Sequence, residues 1–387
     1  MKFFHLSDLH IGKIVNGFSM IEEQKHVLKQ IIGYVKTESP AMIVIAGDVY
    51  DRAIPTIDSI RVFDDFITTL AGLDTAVILI SGNHDSPERL SYASRLLSEK
   101  RLFFYGTIEE GTFDRAIHKL TLSDEYGEVN FWLLPFVKPS TVRAVFRDKE
   151  IESHEAAVAA ALDAADIDYS SRNVLVSHQF YTKPDVVSIR SESELDPVGG
   201  LDAVDAGLIE RFDYAALGHL HGNQSVGAKH IRYCGSPIKY SFSEWRQEKS
   251  VTLVELGEKG KRTIESLPLT PLHDMREIKG TTEQLTSVEV STLADKEDYL
   301  RVILTDEAEI VDPMGKLRSV YPNIMSLDFE NSRTSIDYGA IMVEAETVEK
   351  LSPYDLFSEF FLNVQGAVMN ATQADIVREL LEMEDEK

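Results

Sequence analysis

Met1-Lys2-Phe3-Phe4-His5-Leu6-Ser7-Asp8-Leu9-His10 carries a short apolar run that stops at a polar cluster, Asp8-Leu9-His10. The same arrangement recurs four times further along. Residues 42–46 lead into Gly47-Asp48-Val49-Tyr50-Asp51, and residues 76–81 into Gly82-Asn83-His84-Asp85. Residues 173–177 end at His178-Gln179, and residues 214–217 at Gly218-His219-Leu220-His221. Runs of this length, rich in Val, Ile, Leu and Phe, are expected for strands buried on both faces.

Helical spacing fills the gaps between the runs. Ser19-Met20-Ile21-Glu22 reads as a capping box, followed by Val27, Ile31, Ile32 and Val35 at helical intervals. Further helices are expected near 57–71, 88–98, 153–165 and 202–210. Strands alternating with helices imply an α/β sheet, whose ligands sit beyond the carboxyl ends of the strands. Ile117, Leu120 and Leu122, then Val129, Phe131 and Leu133, predict a hairpin turning near Tyr126-Gly127. Antiparallel strands are expected at 230–234, 250–256 and 262–267. The fold class is therefore α/β, with a mixed two-sheet core flanked by helices over residues 1–270.

After Pro268-Leu269-Thr270-Pro271 the pattern changes to strand, helix, strand, helix, strand, which predicts a small α/β domain over 271–346. Residues 347–387 form a helical tail. Ser352-Pro353 is an N-cap followed by Pro at the first helical position, and Leu356, Phe357, Phe360 and Phe361 then make one apolar stripe. A second short helix carries Ile376 and Leu380. Two short amphipathic helices cannot bury both stripes on each other, so either their own domain or a partner must cover them.

Composition excludes several classes of function. No stretch approaches the roughly 18 consecutive apolar residues of a spanning helix, and Cys234 is the only cysteine, so no intrachain disulfide forms. With no signal-peptide pattern at the N-terminus, a cytoplasmic location is expected. There is no Gly-x-x-x-x-Gly-Lys-Ser/Thr loop, so any ATP dependence belongs to a partner. The net charge of −25 is unfavourable for binding a polyanion, and it is uneven. Residues 274–387 hold 10 Lys and Arg against 25 Asp and Glu, while the longer part before them holds 29 against 39.

Each cluster alone is ordinary turn chemistry. Together they place five of the eleven histidines at strand ends, where one sheet edge would gather them. Oxygen and imidazole ligands without cysteine suit a pair of borderline-hard divalent metals, and the chain reads as a metal-dependent hydrolase.

In order and form, the five clusters resemble those of the calcineurin-like metallophosphoesterases. That resemblance implies two mixed sheets sandwiched between helices in four layers. Phe3-Phe4-His5-Leu6-Ser7-Asp8-Leu9-His10, Tyr233-Cys234-Gly235-Ser236-Pro237, Phe242-Ser243-Glu244, Pro268-Leu269-Thr270-Pro271-Leu272 and Leu351-Ser352-Pro353-Tyr354-Asp355-Leu356-Phe357 are similar to the superfamily's DNA nuclease branch. The resemblance implies Asp8, His10, Asp48 and His221 around one metal, and Asp48, Asn83, His178 and His219 around the other. It implies two Mn²⁺ ions, with Mg²⁺ or another divalent metal as alternatives. His84 is expected to protonate the leaving oxygen, and Asp51 to support a ligand.

Arg52 and Arg89, with Lys183, Arg190, Lys239 and Arg246, are expected in loops where DNA phosphates would pass. The branch further implies double- and single-stranded DNA as substrate and a nucleoid-associated location. It also implies an ATPase partner docked on Leu356, Phe357, Phe360, Phe361, Ile376 and Leu380, and a homodimer within a heterotetramer. The small domain would position DNA. Two competing readings are a phosphoesterase for small molecules or phosphoproteins, which needs neither the extra domain nor the apolar tail, and a metal-free binding scaffold, which leaves the ligand set without purpose.

Overall fold

The computed structural model describes residues 1–108, 117–183, 186, 189–194, 202–332, 352–365 and 368–385. They divide into two compact units, Met1–Asp274 and Met275–Lys387.

The first unit is built on two six-stranded sheets. In the first, the strand order is Arg262–Pro268, Ser250–Leu256, Lys2–Leu6, Met42–Ala46, Ala76–Ile80, Leu102–Tyr105. The last four of these run parallel, and the two C-terminal strands pair antiparallel beside Lys2–Leu6. The second sheet runs Gln224–Val226, Ala228–Tyr233, Tyr214–Gly218, Arg172–His178, Gly127–Leu134, His118–Asp124, again with a parallel centre and antiparallel edges.

Period-two alternation explains why the runs look uniformly apolar. Phe3, Val44, Ile78, Phe131, Val174 and Tyr214 meet between the sheets. Phe4, Ile43, Ile45 and Leu79 turn outward onto the helices Ile21–Glu38 and Ile57–Gly72. Leu175, Ala215 and Leu217 do the same on the far face, where the helix His154–Ala164 contributes Ala157, Val158 and Ala161. Both faces of each sheet are covered, giving the four-layer α/β sandwich. Parallel strands return through helices, so their carboxyl ends lie along one edge of each sheet.

Two local expectations fail for tertiary reasons. Ser19 does not cap the first helix: it pairs in the two-residue strand Phe18–Ser19, and Met20 occupies the N-cap position without a side-chain bond. Residues 202–210 are not an α-helix, because Ala203–Asp205 pairs in parallel with Phe180–Thr182 and only Ala206–Ile209 winds, as a 3-10 turn. The stretch near 88–98 forms two short helices, Pro87–Leu90 and Ser94–Ser98.

The second unit contains a three-stranded parallel sheet, Met275–Gly280, Tyr299–Leu304, Ile324–Phe329. Leu285, Leu300, Val302, Leu304, Leu317 and Ile324 form its core. Thr281 and Gln284 make a capping box at the helix Thr282–Thr286. The tail helices are Pro353–Gln365 and Ala371–Asp385, joined by Arg378, whose Nη2 donates to Tyr354 Oη at 3.2 Å. The expected boundary near residue 346 lies outside the described residues.

Candidate metal centre

Five of the parallel strands deliver their polar clusters to one place. Asp8 N donates to Gly47 O (3.0 Å) and His10 N to Asp48 O (3.0 Å), which ties the first two loops side by side. His84 N donates to Asp48 Oδ1 at 2.9 Å, and His219 N reaches both Asp8 carboxylate oxygens at 3.1 Å. Close approach needs glycine at two positions. A Cβ on Gly82 would sit 2.0 Å from Asp48 Oδ1, and one on Gly218 would sit 2.0 Å from Ala46 O.

Four residues of the site also carry backbone strain. Asp8 (φ 53°), His10 (40°), Asp48 (50°) and His219 (111°) all adopt positive φ without being glycine. Such conformations cost about 1 kcal/mol or more each, and they persist where surrounding contacts over-determine the site.

The side chains converge as closely as their main chains. Candidate ligand atoms of Asp8, His10 and His221 lie within 4.8 Å of one another, and so do those of Asp8, Asp48 and His178. Asn83 Oδ1 stands 3.1 Å from His178 Nε2 and 3.2 Å from His219 Nδ1. His10 Nε2 faces His221 Nε2 at 3.2 Å, and His178 Nε2 is 3.3 Å from Asp48 Oδ2. All seven predicted ligands therefore meet, and Asp8, His10, Asp48, His178 and His221 are buried.

The donor set fits divalent cations. His178 Nδ1 donates to Ala46 O at 2.7 Å, which aims the lone pair of neutral Nε2 at the Asn83 and Asp48 oxygens. His10 Nδ1 is buried with no hydrogen-bond partner among the described residues. Electron-rich atoms facing one another in a dry site repel unless a cation lies among them. Without metal, a proton takes that part. Burial opposes charging of His178, yet the Asp48 carboxylate outweighs it and, with Asp8, pulls the imidazole up to about 9. Burial and the neighbouring His178 push His219 down to about 3, and burial holds His10 well below its ordinary value.

His84 lies at the same centre in a different setting. Its ring stands edge-on to His10 with centroids 4.7 Å apart, and its Nδ1 donates to the Asp51 carbonyl at 3.0 Å. The carboxylate of Asp51 does not hydrogen-bond His10, being 3.8 Å from Nδ1; it is bound by Lys13 Nζ at 2.8 Å. Asp51 thus orients His84 through its main chain.

Three supporting residues escape sequence reading. Asp85 accepts from Val49 N (3.1 Å), Tyr50 N (3.0 Å) and Gly82 N (2.9 Å), clamping the Asp48 loop to the Asn83 loop. Gln24 Nε2 donates to His10 O at 2.7 Å from the first helix. Glu244 Oε1 accepts from His221 Nδ1 at 3.2 Å. The sequence offered two signals, the adjacency of Asp85 to Asn83-His84 and the stretch Phe242-Ser243-Glu244 that carries the resemblance, but neither gave these residues a role.

The basic residues scatter. Arg52 and Arg89 are exposed. Lys239 is engaged by Asp274 (2.7 Å) and Trp245 O (2.7 Å), Lys183 pairs with Glu210, and Arg190 stacks 3.7 Å over Phe180. In the tail, Phe357, Phe360, Ile376 and Leu380 are exposed, while Leu356 and Phe361 are half-buried.

Comparison with known proteins gives the family. Residues 1–223 match the calcineurin-like phosphoesterase family, and residues 271–365 match a family described as the type 5 capsule protein repressor C-terminal domain. The chain is 33% identical over 384 residues to the D subunit of the nuclease SbcCD from Staphylococcus epidermidis, covering 98% of each. It is 32% identical over 386 residues to that of Staphylococcus saprophyticus, again covering 98% of each. A phosphopantetheinyl hydrolase from Mycobacterium tuberculosis is 14% identical with TM-score 0.37, covering 69% of this chain and 95% of that one. A dimetal phosphatase from Danio rerio is 11% identical with TM-score 0.39, covering 70% and 99%. The chain belongs to the calcineurin-like phosphoesterases and, among them, to the family of SbcCD nuclease subunits that these two staphylococcal proteins represent. Among the described residues, no helix is long and apolar enough to cross a membrane.

Proposed function

We propose that this chain is a metal-dependent nuclease subunit that hydrolyses DNA phosphodiester bonds with two divalent ions and works with the ATPase SbcC in processing DNA ends. The observation that carries this reading is the convergence of seven O- and N-donor side chains from five strand ends, in a chain related throughout its length to SbcCD nuclease subunits.

Asp8, His10, Asp48 and His221 would hold one ion and Asp48, Asn83, His178 and His219 the other, with Asp48 shared. Two carboxylates against two divalent cations leave the site positive, so a phosphodiester is attracted despite the acidic chain. Asn83, neutral where an aspartate would remove charge, preserves that excess. Bound divalent ions lower the pKa of water and stabilise charge developing on phosphorus oxygens.

The remaining chemistry belongs to the protein. His84, held by the Asp51 carbonyl through Nδ1, presents Nε2 as the group that protonates the leaving oxygen. The His/Asn/carboxylate set favours Mn²⁺ over Mg²⁺. Arg52 and Arg89, exposed beside the Asp48 and Asn83 loops, would contact DNA phosphates. The tail stripe of Leu356, Phe357, Phe360, Phe361, Ile376 and Leu380 would dock SbcC, in an assembly containing two copies of each subunit.

The test is Mn²⁺-dependent cleavage of linear duplex DNA, hairpin DNA and a small phosphodiester, with and without SbcC and ATP. Cleavage of DNA is expected; activity confined to the small ester under every condition would refute the nuclease reading.

A further inference from the structure

Behind His221 lies a buried polar network that the chemistry above leaves unused. Glu244 ends the 3-10 turn Phe242–Glu244, started by Ser241, whose side chain accepts from Ser243 N. Its side chain is fully enclosed. Oε1 accepts from Ser191 Oγ (2.6 Å), Ser193 Oγ (2.9 Å) and His221 Nδ1 (3.2 Å). Oε2 accepts from Lys249 Nζ at 2.6 Å, and Lys249, also buried, donates to His221 O (2.9 Å) and Ser236 Oγ (3.0 Å).

We propose that Glu244 is the positioning residue for His221, fixing the imidazole with Nε2 toward the site and raising the basicity of that nitrogen. The inference rests on reading the cluster as a metal centre. Ser193 Oγ and Glu244 Oε1 both lie within reach of Nδ1, at 2.9 and 3.2 Å, so Nδ1 carries the proton and Nε2 the lone pair. A carboxylate polarises the ring more than a neutral acceptor would, which makes the opposite nitrogen a stronger ligand.

Lys249 explains how such a charge is tolerated. A lone buried carboxylate would be costly, and its extra negative charge would weaken the attraction of the site for phosphate. Paired with Lys249, Glu244 acts on His221 with no net charge added. His178 differs: its Nδ1 donates to the neutral Ala46 carbonyl. The two imidazoles are supported unequally, so loss of Glu244 should fall on the ion that His221 binds.

The test is calorimetric titration of the full chain with Mn²⁺, with thermal melts of each variant. Glu244→Gln keeps an acceptor but removes the charge, and is expected to weaken one of two ions about 10- to 100-fold, the usual effect of removing such a partner. Glu244→Asp, which retains the charge, should lie between Gln and wild type, and it serves as the second variant if Gln fails to fold. In a His221→Ala background, Glu244→Gln should change the affinity no further. Additive losses in that double variant would overturn the inference, as would a folded Glu244→Gln protein that binds both ions as wild type does. A wild-type chain that binds no divalent ion would overturn the metal-centre reading itself, and the role of Glu244 with it.

Discussion

The metal centre encloses its characteristic side chains, whereas the helical tail leaves its own open. Asp8, Asp48 and His178 are almost completely buried and fixed from several directions, while Phe360, Ile376 and Leu380 are 61%, 51% and 59% exposed. Enclosure at strand ends supplies a dry, preorganised site in which charge interactions are strong. An apolar stripe left open has the opposite use: it gains free energy only when another surface covers it. On the proposal that the tail docks a partner, chemistry and assembly would be separable in this chain.

The largest expected effect tests that separation directly. Truncation after Glu346 should abolish association with SbcC while Mn²⁺ affinity stays at the wild-type value; retained association in a pull-down would show that the tail packs on its own chain. Within the centre, His84→Ala should slow cleavage by about 10²- to 10⁴-fold, the usual worth of a general acid. Metal affinity should hardly change, and a parallel loss of metal would make His84 a ligand.

Asp85→Ala should destabilise the first unit by about 3 kcal/mol, since three N–H donors, two of them fully buried, lose their acceptor. Chemical denaturation reads this as a lower unfolding midpoint, and an unchanged midpoint would mean that the loops hold together without the clamp.

A smaller, graded effect comes from pH. His178 is raised to about 9 in the metal-free protein, so below that value binding must displace its proton. Mn²⁺ affinity should therefore fall by about tenfold or more for each unit of pH lost from 9 toward 6, with at least one proton released per chain, since His221, whose burial opposes charging, is also raised by Glu244 and Asp8. Titrations in buffers of different ionisation enthalpy count that proton; release of none would contradict the assignment of His178. Smallest of all, Arg52→Ala or Arg89→Ala should weaken DNA binding across sequences and reduce its salt slope by about one.

Legibility in the sequence follows the same division. The strands announced themselves because Phe3/Phe4 and Ile43/Val44 fill opposite faces of one buried sheet, producing unbroken apolar runs. The seven meeting residues were legible because each lies in the polar cluster that closes such a run. Ser19 misled because a cap depends on where the helix begins, and pairing of Phe18–Ser19 moved that start to Ile21. Residues 203–205 misled because a partner strand at 180–182 overrides their helical spacing. Gln24, Asp85 and Glu244 stayed hidden for a related reason. Their roles rest chiefly on distant atoms, His10 O for Gln24, Val49 N for Asp85 and His221 Nδ1 for Glu244, and such contacts leave no local pattern.

Metal stoichiometry tests the central claim most directly, that five strand ends build one site in which two ions share Asp48. Titration of the full chain with Mn²⁺ should give two ions bound, and Asp48→Ala should weaken both. One ion per wild-type chain, or an Asp48→Ala protein that loses one ion and holds the other at wild-type affinity, would contradict it.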